Sequence, residues 1–219
     1  MTAPSGAGAP DPGSPKALLD FLLLVGRLKT LPRQGWVDRG VPNPESVAEH
    51  TYRAAMMGWV LAERAGLDSA RLIKLILVHD LPEVLAGDAT PYAGLLAAGM
   101  GVEEALARWR ELVGPEQLAE ARLDKLSREA EAMQVALRGL EPALASELRQ
   151  LWAEYAERRT PEARFAAQLD KLEALLQAME YEAAGQAADV ASFLLTARDE
   201  VTQPVLRELL QEAERRLGS

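Results

Sequence analysis

The chain holds two histidines, and both stand where an imidazole has more to do than fill space. His50 lies in "ESVAEHTYR" (residues 45–53) and His79 in "LVHDLPE" (77–83). Val47, His50, Ala54, Met57 and Leu61 recur at steps of three and four, so His50 falls on the apolar stripe of a helix. His79 ends an apolar run and is followed at once by Asp80, then by Glu83 and Asp88. Acids and an imidazole grouped at the end of a buried helix suit metal binding or acid–base chemistry. A single histidine on an apolar face is more often a hydrogen-bonded core residue. Here both histidines behave alike, and a buried His-Asp pair is costly unless something satisfies it. A divalent metal would want a further ligand, for which Asp170 in "FAAQLDKLEALLQ" (165–177) is the candidate. It sits beside a core stripe of Leu169, Leu172 and Leu176, among the small residues Ala166, Ala167 and Ala174. Taken alone, Asp170 reads as an ordinary solvated helix acid.

The elements that would position these residues are helices. Residues 1–14 are rich in Gly, Pro, Ala and Ser and read as a disordered tail. Ser14-Pro15 has the pattern of an N-cap with proline at the first helical position, opening a helix to about residue 30. Residues 31–44 carry prolines and glycines and read as a long irregular loop. A helix over about 45–65 stops at Gly66, and Asp68 or Ser69 caps the next, through "ARLIKLILVHD". The apolar residues of that segment, Leu75 and Leu77 included, predict a helix buried all round. Pro82 forces a kink or restart. The region 95–138 predicts two helices parted near Gly114-Pro115, and further helices are expected at about 141–158, 161–184, 187–200 and 204–217. No internal repeat or alternating strand pattern is present, so the fold expected is all-α, a single domain over 15–219.

Composition agrees. Hydrophobic residues make up 48% and charged ones 26%, a globular balance dominated by helix formers. The net charge of -9 disfavours nucleic acid polymers and acidic membrane surfaces as partners. With no cysteine, disulfides and zinc-thiolate sites are excluded. "ALLDFLLLVG" (17–26) is interrupted by Asp20 and too short to span a bilayer, and no basic segment precedes it, so the expected location is cytoplasmic.

The set His50, His79-Asp80 and Asp170 resembles the H…HD…D pattern of the HD-domain phosphohydrolase superfamily. "LLLVGRLKTLPRQGW", "PESVAEHTYR", "LVHDLPEVLAGDATP" and "QLDKLEALLQAMEY" resemble, more narrowly, its 5′-deoxynucleotidase family. The resemblance implies a helical bundle of the HD-domain type and a homodimer, and the Ala- and Leu-rich C-terminal helices are one surface that could supply its interface. It also implies that His50, His79, Asp80 and Asp170 bind one divalent cation, Mn, Co, Fe, Mg or Zn. Glu83 and Asp88 match the family's catalytic carboxylates. Trp36 matches an aromatic that crowds the sugar and favours 2′-deoxyribose, a role that competes with plain loop packing. Arg33 takes the place of an arginine that adjoins this Trp in some members. Arg33, Arg39 and Lys125 are the cations placed to hold a phosphate, while exposed arginines and lysines are more usually solubilising. An insertion at about 93–122 departs from the pattern and reads as a surface helical hairpin rather than a substrate lid; Lys125, Arg128 and Glu129 resume the family sequence.

The reaction so implied is hydrolysis of a deoxyribonucleoside 5′-monophosphate to deoxynucleoside and phosphate. Two imidazoles and two carboxylates form a mixed nitrogen and oxygen set that leaves places for water and a phosphate oxygen. The rivals are another HD-superfamily phosphohydrolase, acting on nucleoside triphosphates, cyclic nucleotides or guanosine polyphosphates, and a non-catalytic nucleotide-binding protein. The first generally calls for extra cations or a second metal site, and the second leaves competent residues at Glu83 and Asp88 unexplained.

Overall fold

The computed structural model describes residues 11–90, 99–100, 104–105, 108, 115–186 and 188–218, with backbone alone for 115–119. In chain order the main elements are α1 (Pro15–Gly26), a 3-10 turn (Arg27–Lys29), α2 (Gln34–Asp38), α3 (Val47–Ala65), α4 (Ser69–His79) and α5 (Glu83–Ala86). After these come α6 (Pro115–Ala136), α7 (Pro142–Ala156), α8 (Pro161–Ala183), α9 (Val190–Glu200) and α10 (Pro204–Leu217). The described residues contain no strand, only an isolated bridge between Pro32 and Ser46. The fold is all-α, as composition and periodicity require.

Most helix starts lie where the capping residues put them. Ser14 Oγ accepts from Ala17 N, and Ser46 and Glu49 form a reciprocal capping box at α3. Asp68 accepts from Arg71 N at α4, and Thr160 from Ala163 N at α8. Gly66, at φ 67°, ends α3 in the left-handed region. Two expectations change. Residues 11–14 are tied down, because Gly13 N–H donates to Gly139 O at 2.9 Å; residues 1–10 lie outside the described set. The loop 31–44 is not wholly irregular, since it contains the short helix α2.

α8 is the axis of the bundle. Phe165, Ala166, Leu169, Leu172, Leu175 and Ala178 are buried along it, and α3, α4, α7, α9 and α10 pack around it. The stripe runs through Leu175, with Leu176 only partly covered, so the buried face is turned slightly from the expected one. α3 and α4 approach closely at Gly58, where a Cβ would lie 2.6 Å from Ile76 Cδ1. α4 buries Leu72, Leu75, Ile76 and Val78, whereas Leu77 is 55% exposed, so that helix keeps one wet side. α6 runs unbroken from Pro115 to Ala136, so Lys125 and Glu129 share a helix with the end of the expected insertion. Most of residues 93–114 lie outside the described set.

Candidate active site

Each site residue leaves the bundle at a point fixed by its helix. His50 belongs to the first turns of α3, and its ring is completely buried. His79 is the last residue of α4 and Asp80 its C-cap, because Pro82 has no N–H to continue the helix. The chain restarts as the single turn α5 with Glu83 at its head. Gly87, at φ 77°, closes that turn through N–H to Glu83 O and delivers Asp88. Asp170 stands at the middle of α8.

These segments converge. His50 Nε2 lies 3.1 Å from Asp170 Oδ1, and His79 Nε2 lies 3.0 Å from Asp80 Oδ2. Donor atoms of His50, His79 and Asp170 all fall within 4.8 Å of one another. Asp80 borders this group, 3.9 Å from His50 Nε2, with Oδ2 also accepting from Arg33 Nη1 at 2.9 Å. The remaining nitrogens of the two rings are held from behind. His79 Nδ1 is 2.6 Å from the Ile76 carbonyl, and His50 Nδ1 meets the buried carboxylate of Glu173. A carbonyl can only accept, so Nδ1 of His79 carries a hydrogen and Nε2 is the nitrogen left to face the carboxylates. Both Nε2 atoms are buried without a hydrogen-bond partner, a costly arrangement for a polar atom. Two imidazole nitrogens aimed at carboxylates form a donor set that fits a divalent cation.

The charges explain the titration. Burial opposes the charged form of Asp80, but His79, Arg33 and His50 outweigh it and hold this carboxyl far below the usual range. Burial likewise opposes Asp170, and Lys171, His50 and Arg33 reverse the effect. Glu83 goes the other way: burial first, then Asp80 and Asp88, push its carboxyl well up. One of its oxygens, Oε2, is buried and unpartnered.

A cavity of about 810 Å³ opens over the group, lined among others by Arg33, Trp36, Asp80, Glu83, Lys125 and Asp170, a size suited to a small ligand. Arg33 lies within 4 Å of Asp80, Asp88 and Asp170. Lys125 reaches the same cavity from α6 and pairs with Glu129 at 3.3 Å. Asp88 accepts from Gln34 N at 2.9 Å, which ties the residues after α5 to the start of α2. Trp36 is 2% exposed, stacked on Phe193 and held through Nε1–H to Glu45 at 3.0 Å. Arg39, expected among the phosphate-holding cations, lines the same cavity. Its guanidinium donates to Gly35 O and Ser192 Oγ and lies over the Phe193 ring at 4.6 Å.

Three neighbours did not stand out in the sequence. Lys171 lines the cavity with Nζ 2.8 Å from Asp170 Oδ2. Tyr155 packs against the His79 ring at 5.0 Å. Glu173 is wholly buried behind His50. For Glu173 the only available hint was its place one turn after Asp170.

Residues 25–210 match the family model described as HD domain. The human 5′-deoxynucleotidase HDDC2 is 40% identical over 76% of this chain and 69% of its own length. The protein of the same name from Dictyostelium discoideum is 32% identical over 90% of this chain and 96% of its own. A solved structure described as a predicted metal-dependent phosphohydrolase, from Magnetospirillum magnetotacticum, superposes with a TM-score of 0.62. It is 28% identical and covers 92% of this chain and 95% of its own.

Proposed function

The chain belongs to the HD-domain family, and from that premise we propose that its cavity hydrolyses deoxyribonucleoside 5′-monophosphates to deoxynucleoside and inorganic phosphate. The observation that carries this reading is the pair of buried, unpartnered Nε2 atoms of His50 and His79 facing Asp170 and Asp80, with Glu83 close by. His50, His79, Asp80 and Asp170 hold one divalent cation. Such a cation supplies charge neutralisation and makes water a better nucleophile near neutral pH.

The chain's own residues do the rest. Arg33 and Lys125 hold the non-bridging phosphate oxygens, and Lys171 stands near enough to share that task. Glu83 and Asp88 position the attacking water and supply the proton for O5′. Glu83 is the better donor, because burial and its acidic neighbours push its carboxyl well up from the ordinary carboxylate range. The water oxygen bonds to phosphorus as the P–O5′ bond breaks, and the proton ends on the nucleoside hydroxyl. Trp36, fixed by Glu45 and Phe193, forms the wall against which the sugar lies. Arg39 serves that wall by holding Phe193 and Ser192 rather than by touching phosphate.

The working unit in this reading is a homodimer. Large exposed apolar residues concentrate on α1 (Leu18, Leu19, Leu22, Leu23) and α3 (Tyr52, Trp59, Val60), which favours these helices over the C-terminal ones as the interface. Among the described residues, no helix is long and apolar enough to cross a membrane.

The test is to strip the protein, reload it with Mn²⁺ or Co²⁺, and follow phosphate release from dAMP, AMP, cyclic AMP and dATP. Release from dAMP far above AMP is expected. Release from dATP alone, or from none of the four, overturns the reading.

A further inference from the structure

One turn of α8 addresses both nitrogens of a single imidazole. Asp170 and Glu173 are three residues apart, hence neighbours on one helix face. Asp170 Oδ1 lies 3.1 Å from His50 Nε2, while a Glu173 carboxylate oxygen meets His50 Nδ1. The ring and the Glu173 carboxylate are both wholly excluded from solvent. A buried carboxylate with no counter-charge is expensive, and Glu173 has one: Arg53 Nε and Nη2 approach its Oε1 at 2.8 and 2.7 Å. Arg53 is itself held by Gln177 and Glu180, the next residues along that side of α8, each at 2.7 Å. Glu45 faces the same spot, its donor atom within 4.8 Å of those of His50 and Glu173.

We propose that Glu173, braced by Arg53, is a positioning residue that keeps the hydrogen of His50 on Nδ1 and aims Nε2 at the metal. A deprotonated carboxylate only accepts, so it selects the tautomer whose lone pair is on Nε2. His79 receives the same service from the neutral carbonyl of Ile76. The two histidines are therefore not equivalent. A charged acceptor at Nδ1 makes His50 the more basic, stronger-donating ligand, and its loss weakens the whole site. The proposal rests on the reading of His50 as a ligand.

Because the chain has two histidines, ring ¹⁵N signals of ¹⁵N-histidine-labelled protein loaded with Zn²⁺ can be assigned by single substitutions. Affinity is measured by chelator competition on the full chain, with circular dichroism to confirm folding. Glu173→Gln is expected to weaken Zn²⁺ binding about ten- to a hundredfold and to move the His50 Nδ1–H resonance while His79 stays in place. Arg53→Met, which leaves Glu173 intact but unbraced, is expected to shift affinity in the same direction by less. This second variant decides the matter if Glu173→Gln does not fold. Unchanged affinity and an unmoved His50 signal overturn the proposal. A His50→Ala protein that still binds one Zn²⁺ at full affinity overturns the ligand reading instead.

Discussion

Nε2 of His79 lies 3.0 Å from Oδ2 of Asp80, the next residue in the chain. Consecutive side chains on a helix point about 100° apart, so this closeness depends on α4 ending between them. The roles divide sharply as a result. Asp80→Ala is expected to lose the metal, because a ligand goes and Arg33 loses its nearest partner. Glu83→Gln is expected to keep full metal occupancy while turnover falls about 10²- to 10⁴-fold, the usual share of a positioned acid or base. Metal analysis beside single-turnover kinetics separates the two, and near wild-type turnover in Glu83→Gln would remove it from the chemistry.

Arg33 touches three carboxylates from three segments; burial opposes the charge of its guanidinium, and those carboxylates outweigh it and keep the group charged. A lysine there keeps the charge but cannot fork between two acceptors. Arg33→Lys is expected to raise KM for dAMP at least about tenfold, as loss of one charge-assisted contact implies. Metal stoichiometry should stay at that of the unaltered protein. An unaltered KM would mean that Arg33 only holds Asp80 and Asp88.

The sequence made some of this site legible and hid the rest for definable reasons. Caps are local, so Ser14 and Asp68 announce their helices. His79-Asp80 stands out because the run before it is so apolar. Glu173 and Lys171 did not stand out, because in "LDKLEALL" they alternate with leucines like the surface charges of any amphipathic helix. Only the packing of α3 against α8 shows which of those charges face inward. The same shift in phase moved the buried leucine from Leu176 to Leu175. The contacts of Arg39 were hidden for a similar reason, since only the fold brings Phe193 and Ser192 of α9 beside this loop residue.

Trp36 is held on three sides, by Phe193, Tyr181 and the Glu45 carboxylate. If its ring is the sugar wall, position matters as much as presence. Trp36→Ala is expected to narrow the ratio of kcat/KM for dAMP over AMP by about tenfold or more, the scale of a close steric contact. Glu45→Ala, which frees the indole N–H, should move the ratio in the same direction by less. Ratios identical to the unaltered protein in both variants would assign Trp36 to packing alone.

Trp59 is 60% exposed on α3 and Leu23 64% exposed on α1, large apolar side chains that water does not favour. Trp59→Asp with Leu23→Asp is expected to shift the protein from dimer to monomer in sedimentation equilibrium, because a buried unpaired charge opposes association. A dimer of unchanged affinity would move the interface elsewhere.

Glu154 is buried on α7, accepts from Arg71 and from Thr160 Oγ1, and so ties α4 to the start of α8. Burial alone would raise its pKa, but the hydrogen bonds from Arg71 and Thr160, with the Arg71 charge, leave it lowered. A carboxyl whose pKa is lower folded than unfolded contributes its stability above the unfolded value and loses it as pH falls through the folded one. Glu154→Gln is therefore expected to be less stable at neutral pH, by roughly 1–2 kcal/mol. That is below the value for a fully buried pair, because Arg71 is half in water. The gap from the unaltered protein should close as pH is lowered below the ordinary carboxylate range, where both side chains are neutral. Urea unfolding at neutral and acid pH measures it, and a gap that stays constant with pH would show that the charge of Glu154 is not what holds α4 and α8 together.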